Sequence, residues 1–196
     1  MKNIIIWDFD GVIADSMQSR SDAFRYALEG YRSDIINDLL SHHVDNGGKS
    51  RYEKFGRIID KYSGEVFEID NLLLRYSEYI KKTLFTKNIL NVSVANTIQI
   101  NHTLGIVQYI ASGSDQKELQ SLVKFLDIDV YFSGIYGSPI PKKKLVQNII
   151  LLEKVHLSNF LLIGDSINDM EAADSNGIKF LKYTLTEGLS NERIFS

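Results

Sequence analysis

Short apolar segments that alternate with helical patterns constrain the fold of this chain more than any other feature. Four segments have the length and residue types of buried strands, a weaker fifth follows, and together they cover residues 3–7, 105–111, 129–136, 159–164 and 177–181. Apolar residues at helical spacing separate the last four, over residues 115–126, 143–155 and 168–175. Strands joined through helices pair in parallel, because the helix returns the chain to the edge where the first strand began. The sequence therefore predicts an α/β fold, a Rossmann-like parallel sheet with helices on both faces.

The stretch between the first two strands has a different character, because no part of it has a strand pattern. Its apolar residues recur at helical spacing over residues 17–28, 33–43, 49–62 and 70–84. Glycines lie between these segments, where helices prefer to end. We therefore predict an α-helical cap over residues 16–86, inserted into an α/β core that comprises residues 1–15 and 87–196.

The composition excludes several classes of protein. The chain has 196 residues and a formal net charge of −3, which does not indicate a basic surface for nucleic acid. It contains no cysteine, which excludes disulfides, thiolate metal sites and cysteine nucleophiles. No apolar run approaches the length of a membrane span, and the aspartate at position 8 comes too early for a secretion signal. We expect a cytoplasmic protein, a monomer or weak dimer, that binds neither nucleic acid nor membrane.

Two aspartates follow the first strand, Asp8 directly and Asp10 two residues later, and Gly11 then allows a sharp turn. A carboxylate next to a buried strand is costly unless it pairs, binds metal or takes part in chemistry. Side chains two residues apart in a strand point the same way, and ligands of open α/β sheets bind at the carboxyl ends of the strands. The motif predicts a ligand site there, with an ordinary acidic turn as the alternative.

A second pair of aspartates follows the fourth strand, with Asp165 directly after it and Asp169 four residues later. The spacing places both on one face of the first turn of a helix, although Asp169 also fits a helix cap. Carboxylates gathered from two strands repel one another, and a hard divalent cation relieves that repulsion. Because Mg²⁺ prefers a few carboxylates together with water and phosphate oxygens, the pattern predicts a magnesium site.

A hydroxyl and a glycine, Ser112 and Gly113, end the second strand. Before a helix start they offer one O–H group and several backbone N–H groups to an anion. An ordinary helix cap formed by Ser114 or Asp115 is the alternative.

The only two prolines of the chain, Pro139 and Pro141, precede the three lysines 142–144. Proline fixes the backbone angle φ, which lowers the cost of holding a cation in one place. Lysine runs usually lie on a solvated face, and here we expect one lysine to point inward. Lys142 is nearest to the rigid loop, with Lys143 and Lys144 as rivals.

The order of these motifs resembles the haloacid dehalogenase-like hydrolase superfamily. The motifs are Asp-Phe-Asp-Gly-Val at 8–12, the hydroxyl of Ser112, a lysine at 142–144, and Gly-Asp-Ser-x-x-Asp at 164–169. The chain resembles the branch with a helical cap between the first two motifs, which contains proteins like phosphoglycolate phosphatase and β-phosphoglucomutase. Many members place the lysine directly before Pro-x-Pro, whereas here the prolines come first.

The resemblance implies a role for each acidic residue. Asp8 would be the nucleophile that forms an aspartyl-phosphate. Asp10 would protonate the leaving oxygen and then deprotonate the attacking water, and its backbone carbonyl would bind Mg²⁺. Asp8 and Asp165 would be further metal ligands, with Asp169 assisting directly or through water. Dehalogenating relatives lack an acid at the position of Asp10, so its presence points to phosphate esters.

The resemblance also implies how the phosphoryl group would be held. Ser112, Gly113 and Lys142 would contact it, which agrees with phosphoryl transfer being mainly positioning and charge neutralisation.

A loop of the predicted cap, residues 46–52, carries a glycine pair followed by Lys49, Ser50 and Arg51. It resembles the Gly-x-Ser-Arg loop of β-phosphoglucomutase-like caps, and these three residues would then read the distal group of the substrate. The alternatives are a helix start near Ser50 with surface charges, and an Arg51 that packs within the cap or pairs with an acid. For His42 and His43, just before the loop, we expect a surface position.

Three functions agree with these motifs. The first is a Mg²⁺-dependent phosphatase that hydrolyses a small phosphorylated metabolite through an aspartyl-phosphate. The second is a phosphosugar mutase with the same intermediate. The third is a non-catalytic protein that binds phosphorylated metabolites.

Overall fold

The computed structural model describes residues 3–184, and five parallel strands form its sheet. In chain order the strands are β1 Ile4–Trp7, β2 Val107–Asp115, β3 Gly134–Ser138, β4 Phe160–Gly164 and β5 Lys179–Lys182. Their order across the sheet is β3-β2-β1-β4-β5, and every neighbouring pair is parallel. The predicted α/β class with a parallel sheet is confirmed.

Strand β1 lies at the centre of the sheet and is covered on both faces. Ile5 and Trp7 belong to one apolar cluster and Ile4 and Ile6 to another, because successive side chains of a strand point to opposite faces. All four side chains are fully buried. A central parallel strand therefore has a continuous apolar sequence, as the first predicted strand does.

Eight α-helices surround the sheet in the described part of the chain. Four of them follow β1 without an intervening strand, one precedes β2, and three connect the later strands. They are α1 Met17–Ala27, α2 Ser33–Asp45, α3 Arg51–Lys61, α4 Ile69–Thr83, α5 Val92–Thr103, α6 Gln116–Phe125, α7 Lys142–Glu153 and α8 Ile167–Asn176. The helical character predicted for residues 16–86 agrees with α1–α4. The division into a core and a cap remains our prediction.

Two strand predictions differ from the structure. The first half of the segment predicted over 129–136 is a short 3₁₀ helix, Asp129–Tyr131, and β3 begins only at Gly134. An apolar run does not distinguish a strand from a packed turn, and Tyr131 and Phe132 pack against the core from this turn. Strand β2 continues beyond the predicted residue 111 to Asp115, after a shift in its register with β3. The polar tail from residue 185 onward lies outside the described residues.

The register of the strands sets how far along the strand direction the residues after each strand lie. Trp7 lies opposite Ile110 of β2 and Ile163 of β4, and the backbone N–H of Asp8 donates to the carbonyl of Ile163 at 2.8 Å. Strands β1 and β4 therefore end side by side, and β2 continues past them at the same edge of the sheet. Among residues 3–184, no helix is long and apolar enough to cross a membrane.

Candidate active site

Lys142 joins the two acidic motifs at the carboxyl edge of the sheet. Its Nζ lies 2.6 Å from Oδ1 of Asp8 and 2.5 Å from Oδ1 of Asp169, and all three side chains are buried. Lys142 is the first residue of α7, directly after Pro141, whose φ of −59° suits a helix start. Lys143 and Lys144 are exposed. Of the three lysines, Lys142 is the one that the structure brings to the aspartates.

The carboxylates of Asp8, Asp165 and Asp169 form one group, with one oxygen from each within 4.8 Å of the others. Burial, and then the charge of Asp169, raises the pKa of Asp8 well above its ordinary value, although Lys142 opposes this. The same two causes raise the pKa of Asp165 to about 6. The single positive charge of Lys142 thus does not balance the charges of the three carboxylates. Carboxylate oxygens are ligands that suit a hard divalent cation such as Mg²⁺.

Asp169 has two tasks in this group. Its Oδ1 faces Lys142, and its Oδ2 accepts from the backbone N–H of Ser166 at 3.0 Å and from the Ser166 hydroxyl at 2.5 Å. Ser166 is the N-cap residue of α8, so Asp169 belongs to a capping box. Asp169 therefore caps α8 and also lies in the group of carboxylates, so the two interpretations of this residue do not exclude each other.

Gly11 allows the turn after β1 to approach Asp165. Its φ is +81°, which L side chains rarely adopt, and a Cβ on it would lie 2.1 Å from Oδ2 of Asp165. Any larger residue would displace the Asp165 carboxylate, so the glycine is required by both conformation and space.

The Asp10 side chain faces a different set of partners. Its Oδ1 accepts from Nε of Arg20 and from the hydroxyl of Ser16, each at 2.5 Å, and its Oδ2 accepts from the hydroxyl of Ser114 at 2.5 Å. Burial opposes ionisation here, but Arg20 and the two hydroxyls outweigh it and lower the pKa of Asp10. The Asp10 carboxylate therefore faces Arg20, Ser16 and Ser114 and does not belong to the group of Asp8, Asp165 and Asp169.

Ser112 and Gly113 lie within β2 rather than after it. Ser112 is fully buried, its Oγ accepts from the backbone N–H of Ser114 at 3.0 Å, and its hydroxyl lies 3.5 Å from Oδ2 of Asp10. A Cβ on Gly113 would lie 2.3 Å from the carbonyl oxygen of Gly48. The structure thus brings the end of β2 against the glycine pair before α3.

The three residues predicted to read the substrate have separate positions. Ser50 is the N-cap of α3 and forms a capping box with Glu53. Arg51 is buried, and its guanidinium donates to Glu118 at 2.9 Å and to Ser77 at 3.1 Å. Lys49 lines a cleft of about 340 Å³ that is also lined by Lys142. For Ser50 and Arg51 the structure thus agrees with the alternative interpretations, a helix start at Ser50 and an acidic partner for Arg51. Only Lys49 of the three lies beside the cleft.

Arg51→Ala is expected to lower stability. A hydrogen bond to a charged group contributes about 1.5–3 kcal/mol, so we expect a loss of at least about 2 kcal/mol, or about 4–8 °C in the unfolding midpoint. Thermal unfolding followed by circular dichroism measures it. The control is Arg57→Ala on the same helix, whose side chain is 34% exposed and pairs with Asp38 at 3.0 Å. It should cost less than about 1 kcal/mol. Equal midpoints for the two variants would contradict a structural role for Arg51.

Sequence reasoning missed Arg20, Ser16 and Lys54, and placed His43 at the surface, where the structure contradicts it. His43 is 1% exposed because its ring packs against Phe24, with 5.0 Å between the ring centroids. One signal was available: Ser16 and Arg20 are four residues apart at the start of α1, so they share a face close to Asp10.

Comparison with known proteins finds a matching family, related sequences and solved structures with the same fold. A family model described as haloacid dehalogenase-like hydrolase matches residues 5–183. A phosphorylated carbohydrates phosphatase from Thermotoga maritima is 25% identical over 184 residues, which cover 89% of this chain and 82% of that protein.

Two solved structures share the fold. CbbY from Rhodobacter sphaeroides in complex with xylulose-(1,5)bisphosphate has a TM-score of 0.77 at 16% identity and covers 100% of this chain and 91% of its own. A predicted phosphoglycolate phosphatase from Haemophilus somnus has a TM-score of 0.74 at 19% identity, with coverages of 98% and 91%.

Proposed function

Because this chain belongs to the haloacid dehalogenase-like hydrolase family, we propose that it is a Mg²⁺-dependent phosphatase. Its substrate is a small phosphorylated metabolite, and the reaction passes through an aspartyl-phosphate. The observation that carries this proposal is the placement of Lys142 between Asp8 and Asp169, beside Asp165. The relative named as a phosphorylated carbohydrates phosphatase supports the same class of substrate.

In the first step Asp8 is the nucleophile. A carboxylate oxygen of Asp8 forms a bond to phosphorus, the ester bond from phosphorus to the leaving oxygen breaks, and Asp10 gives a proton to that oxygen. Asp10 must carry a proton at this stage, whereas its contact with Arg20 favours the ionised form. The proposed mechanism therefore requires the pKa of Asp10 to rise when substrate binds.

In the second step a water molecule attacks the phosphorus of the aspartyl-phosphate. Asp10, now ionised, takes a proton from the water, the bond from phosphorus to the Asp8 oxygen breaks, and inorganic phosphate leaves. The hydroxyls of Ser16 and Ser114 and the guanidinium of Arg20 stabilise the ionised form of Asp10 between the two steps.

Lys142 and the acidic group balance the charge of the phosphoryl group. Lys142 is fixed by its two carboxylate partners, so it offers a preorganised cation to the phosphoryl oxygens. Asp8, Asp165 and Asp169 would hold Mg²⁺ together with the backbone carbonyl of Asp10. When bound, the ion supplies further neutralisation of the phosphoryl charge.

The phosphosugar mutase alternative depends on the loop before α3. In a mutase, a sugar hydroxyl rather than water would accept the phosphoryl group, and Ser50 and Arg51 would hold the sugar. Here these two side chains contact Glu53 and Glu118 of the chain itself. This arrangement favours the phosphatase.

Removal of divalent ions is expected to abolish phosphate release. Metal ions contribute several kcal/mol to such reactions, so EDTA should lower the rate with p-nitrophenyl phosphate more than about a hundredfold, and added Mg²⁺ should restore it. A colorimetric phosphate assay over a panel of phosphorylated metabolites measures this and ranks the substrates.

The outcomes distinguish the three functions. Full activity in EDTA would reject the metal site. Interconversion of sugar phosphate isomers without phosphate release, followed by NMR of the same mixtures, would indicate the mutase. No turnover of any substrate in Mg²⁺ would leave the non-catalytic binding protein.

A further inference from the structure

The dipeptide Asn-Gly occurs twice in the chain, as Asn46-Gly47 and as Asn176-Gly177. In such a dipeptide the backbone nitrogen of the glycine can attack the side-chain amide of the asparagine, because glycine has no Cβ that hinders the approach. The attack requires a glycine N–H that is free and a backbone that can leave its native conformation. The two dipeptides share this chemistry, so their surroundings decide which one reacts.

Asn46-Gly47 lies in the loop between α2 and α3. Asn46 is half-buried, and its backbone angles, φ −130° and ψ 53°, are not those of a helix. Within residues 3–184 the N–H of Gly47 forms no hydrogen bond. The amide nitrogen of Asn46 contacts only His42, with 3.2 Å to the ring nitrogen Nδ1 and 3.2 Å to the carbonyl oxygen. A single turn hydrogen bond, from the N–H of Lys49 to the carbonyl of Asn46 at 3.1 Å, spans the dipeptide.

Asn176-Gly177 is held more firmly at the end of α8. Asn176 is the last residue of this helix, and the N–H of Gly177 donates to the carbonyl of Asp174 at 3.1 Å. The amide nitrogen of Asn176 joins two helices, because it donates to the carbonyl of Ala172 in α8 at 2.8 Å and to that of Lys143 in α7 at 3.1 Å. Attack at Asn176 therefore requires the end of α8 to open.

We propose that Asn46 is a modification site, at which the chain deamidates without an enzyme and forms isoaspartate. The nitrogen of Gly47 loses its proton and bonds to Cγ of Asn46, the bond from Cγ to Nδ2 breaks, and ammonia leaves. Water then opens the cyclic imide at either of its two carbonyls, so the product is aspartate or isoaspartate. The reaction consumes water, releases ammonia and needs neither an oxidant nor a cofactor.

Isoaspartate lengthens the main chain by one atom in a loop that is closely packed. A Cβ on Gly48 would lie 2.9 Å from Cβ of Asn168, and a Cβ on Gly113 would lie 2.3 Å from the carbonyl oxygen of Gly48. Gly48 therefore lies between the start of α8 and the end of β2, the elements that carry Asp169 and Ser112. A shift of about 1 Å can lower turnover about 10²-fold, so we expect the isoaspartate form to release phosphate at least about tenfold more slowly. This effect rests on the proposed function, whereas the modification does not.

Ageing of the purified protein at constant temperature and mildly alkaline pH tests the modification. Peptide mass spectrometry measures conversion at both dipeptides, and an endoproteinase that cleaves before aspartate but not before isoaspartate separates the two products. The N–H of Gly177 has a hydrogen bond that the N–H of Gly47 lacks, so Asn46 should convert at least about fivefold faster than Asn176 in the folded protein. In urea, which removes the structure around both dipeptides, the two rates should be similar.

Three variants connect the modification to activity, which is measured with p-nitrophenyl phosphate relative to each unaged protein. Asn46→Gln keeps an amide but has a longer side chain that closes the ring slowly, so it should retain its activity during ageing. Asn176→Gln is the matched control and should lose activity at the wild-type rate. Asn46→Asp adds the negative charge without lengthening the main chain, and should stay closer to unaged wild type than the isoaspartate form does.

The outcomes separate the modification from the proposed function. An intact Asn46 after ageing of the folded protein, or conversion of Asn176 at an equal rate, would overturn the modification site. Equal losses of activity in wild type and Asn46→Gln would overturn its effect on turnover. Isoaspartate at position 46 in a protein that hydrolyses no phosphate ester would retain the modification site and reject the phosphatase.

Discussion

Asp8→Asn is expected to reduce turnover more than about a hundredfold and to leave the fold intact. The amide has the shape of the carboxylate but cannot supply the attacking oxygen anion, and it removes one ligand of the proposed metal site. Burial and Asp169 raise the pKa of Asp8 in the folded state, so its ionisation at neutral pH weakens the fold. The amide removes this cost, and Lys142 retains Asp169 as its partner. The unfolding midpoint should therefore stay unchanged or rise.

Phosphate release and thermal unfolding of the same preparation measure both parts of this expectation. Asp15→Asn is the matched control, because Asp15 is an exposed aspartate of the same loop and should keep wild-type activity. Residual activity above a hundredth of wild type, with contaminating phosphatases excluded, would remove Asp8 from the role of nucleophile.

Asp10→Asn is expected to lower hydrolysis of alkyl phosphates by about 10²–10⁴-fold, the range for loss of an acid–base group. A nitrophenyl leaving group needs little protonation, so its single-turnover phosphorylation step should lose less. The fold should also lose stability, in contrast to Asp8→Asn. Arg20 is buried and would lose its carboxylate partner, and breaking a buried pair costs about 3–5 kcal/mol. Glu118 still pairs with Arg20, so we expect the lower end of that range.

Rapid-quench phosphorylation with the two leaving groups and thermal unfolding measure these effects. Equal losses with alkyl and nitrophenyl phosphate would argue against proton donation by Asp10. An unfolding midpoint equal to that of Asp8→Asn would show that the contact with Arg20 contributes little to stability.

Much of the fold could be predicted because the central strands of its sheet are buried on both faces. A central strand such as β1 must be apolar at every position, and the predicted segment 3–7 agrees with Ile4–Trp7. The end of β2 could not be predicted in this way. Its polar residues 112–115 have a loop composition, yet Asp115 pairs with Ser138 of β3 through the backbone, which depends little on side-chain polarity.

The candidate site also contains residues that could be predicted from the sequence and residues that could not. Asp8, Asp165, Asp169 and Lys142 could be named from motifs whose spacing is local to a strand end or a helix start. The buried cluster of Arg20, His43 and Lys54 beside Asp10 could not, because these three residues lie on three different helices. Their proximity depends on how α1, α2 and α3 pack, and a single sequence does not carry that information. For the same reason, the sequence did not predict that Glu118 on α6 is the partner of Arg51.

The position of Asp8 can change only in discrete steps. Strand β1 hydrogen-bonds to a neighbour on each side, with Trp7 level with Ile110 and Ile163. A slip of one residue would move Asp8 by about 3.3 Å along the sheet and turn its side chain toward the opposite face. Substitutions around Asp8 can adjust the charge of the site in small increments, whereas an insertion or deletion in β1 would remove the carboxylate from it. Variation in chain length compatible with this chemistry is therefore confined to the connections between strands.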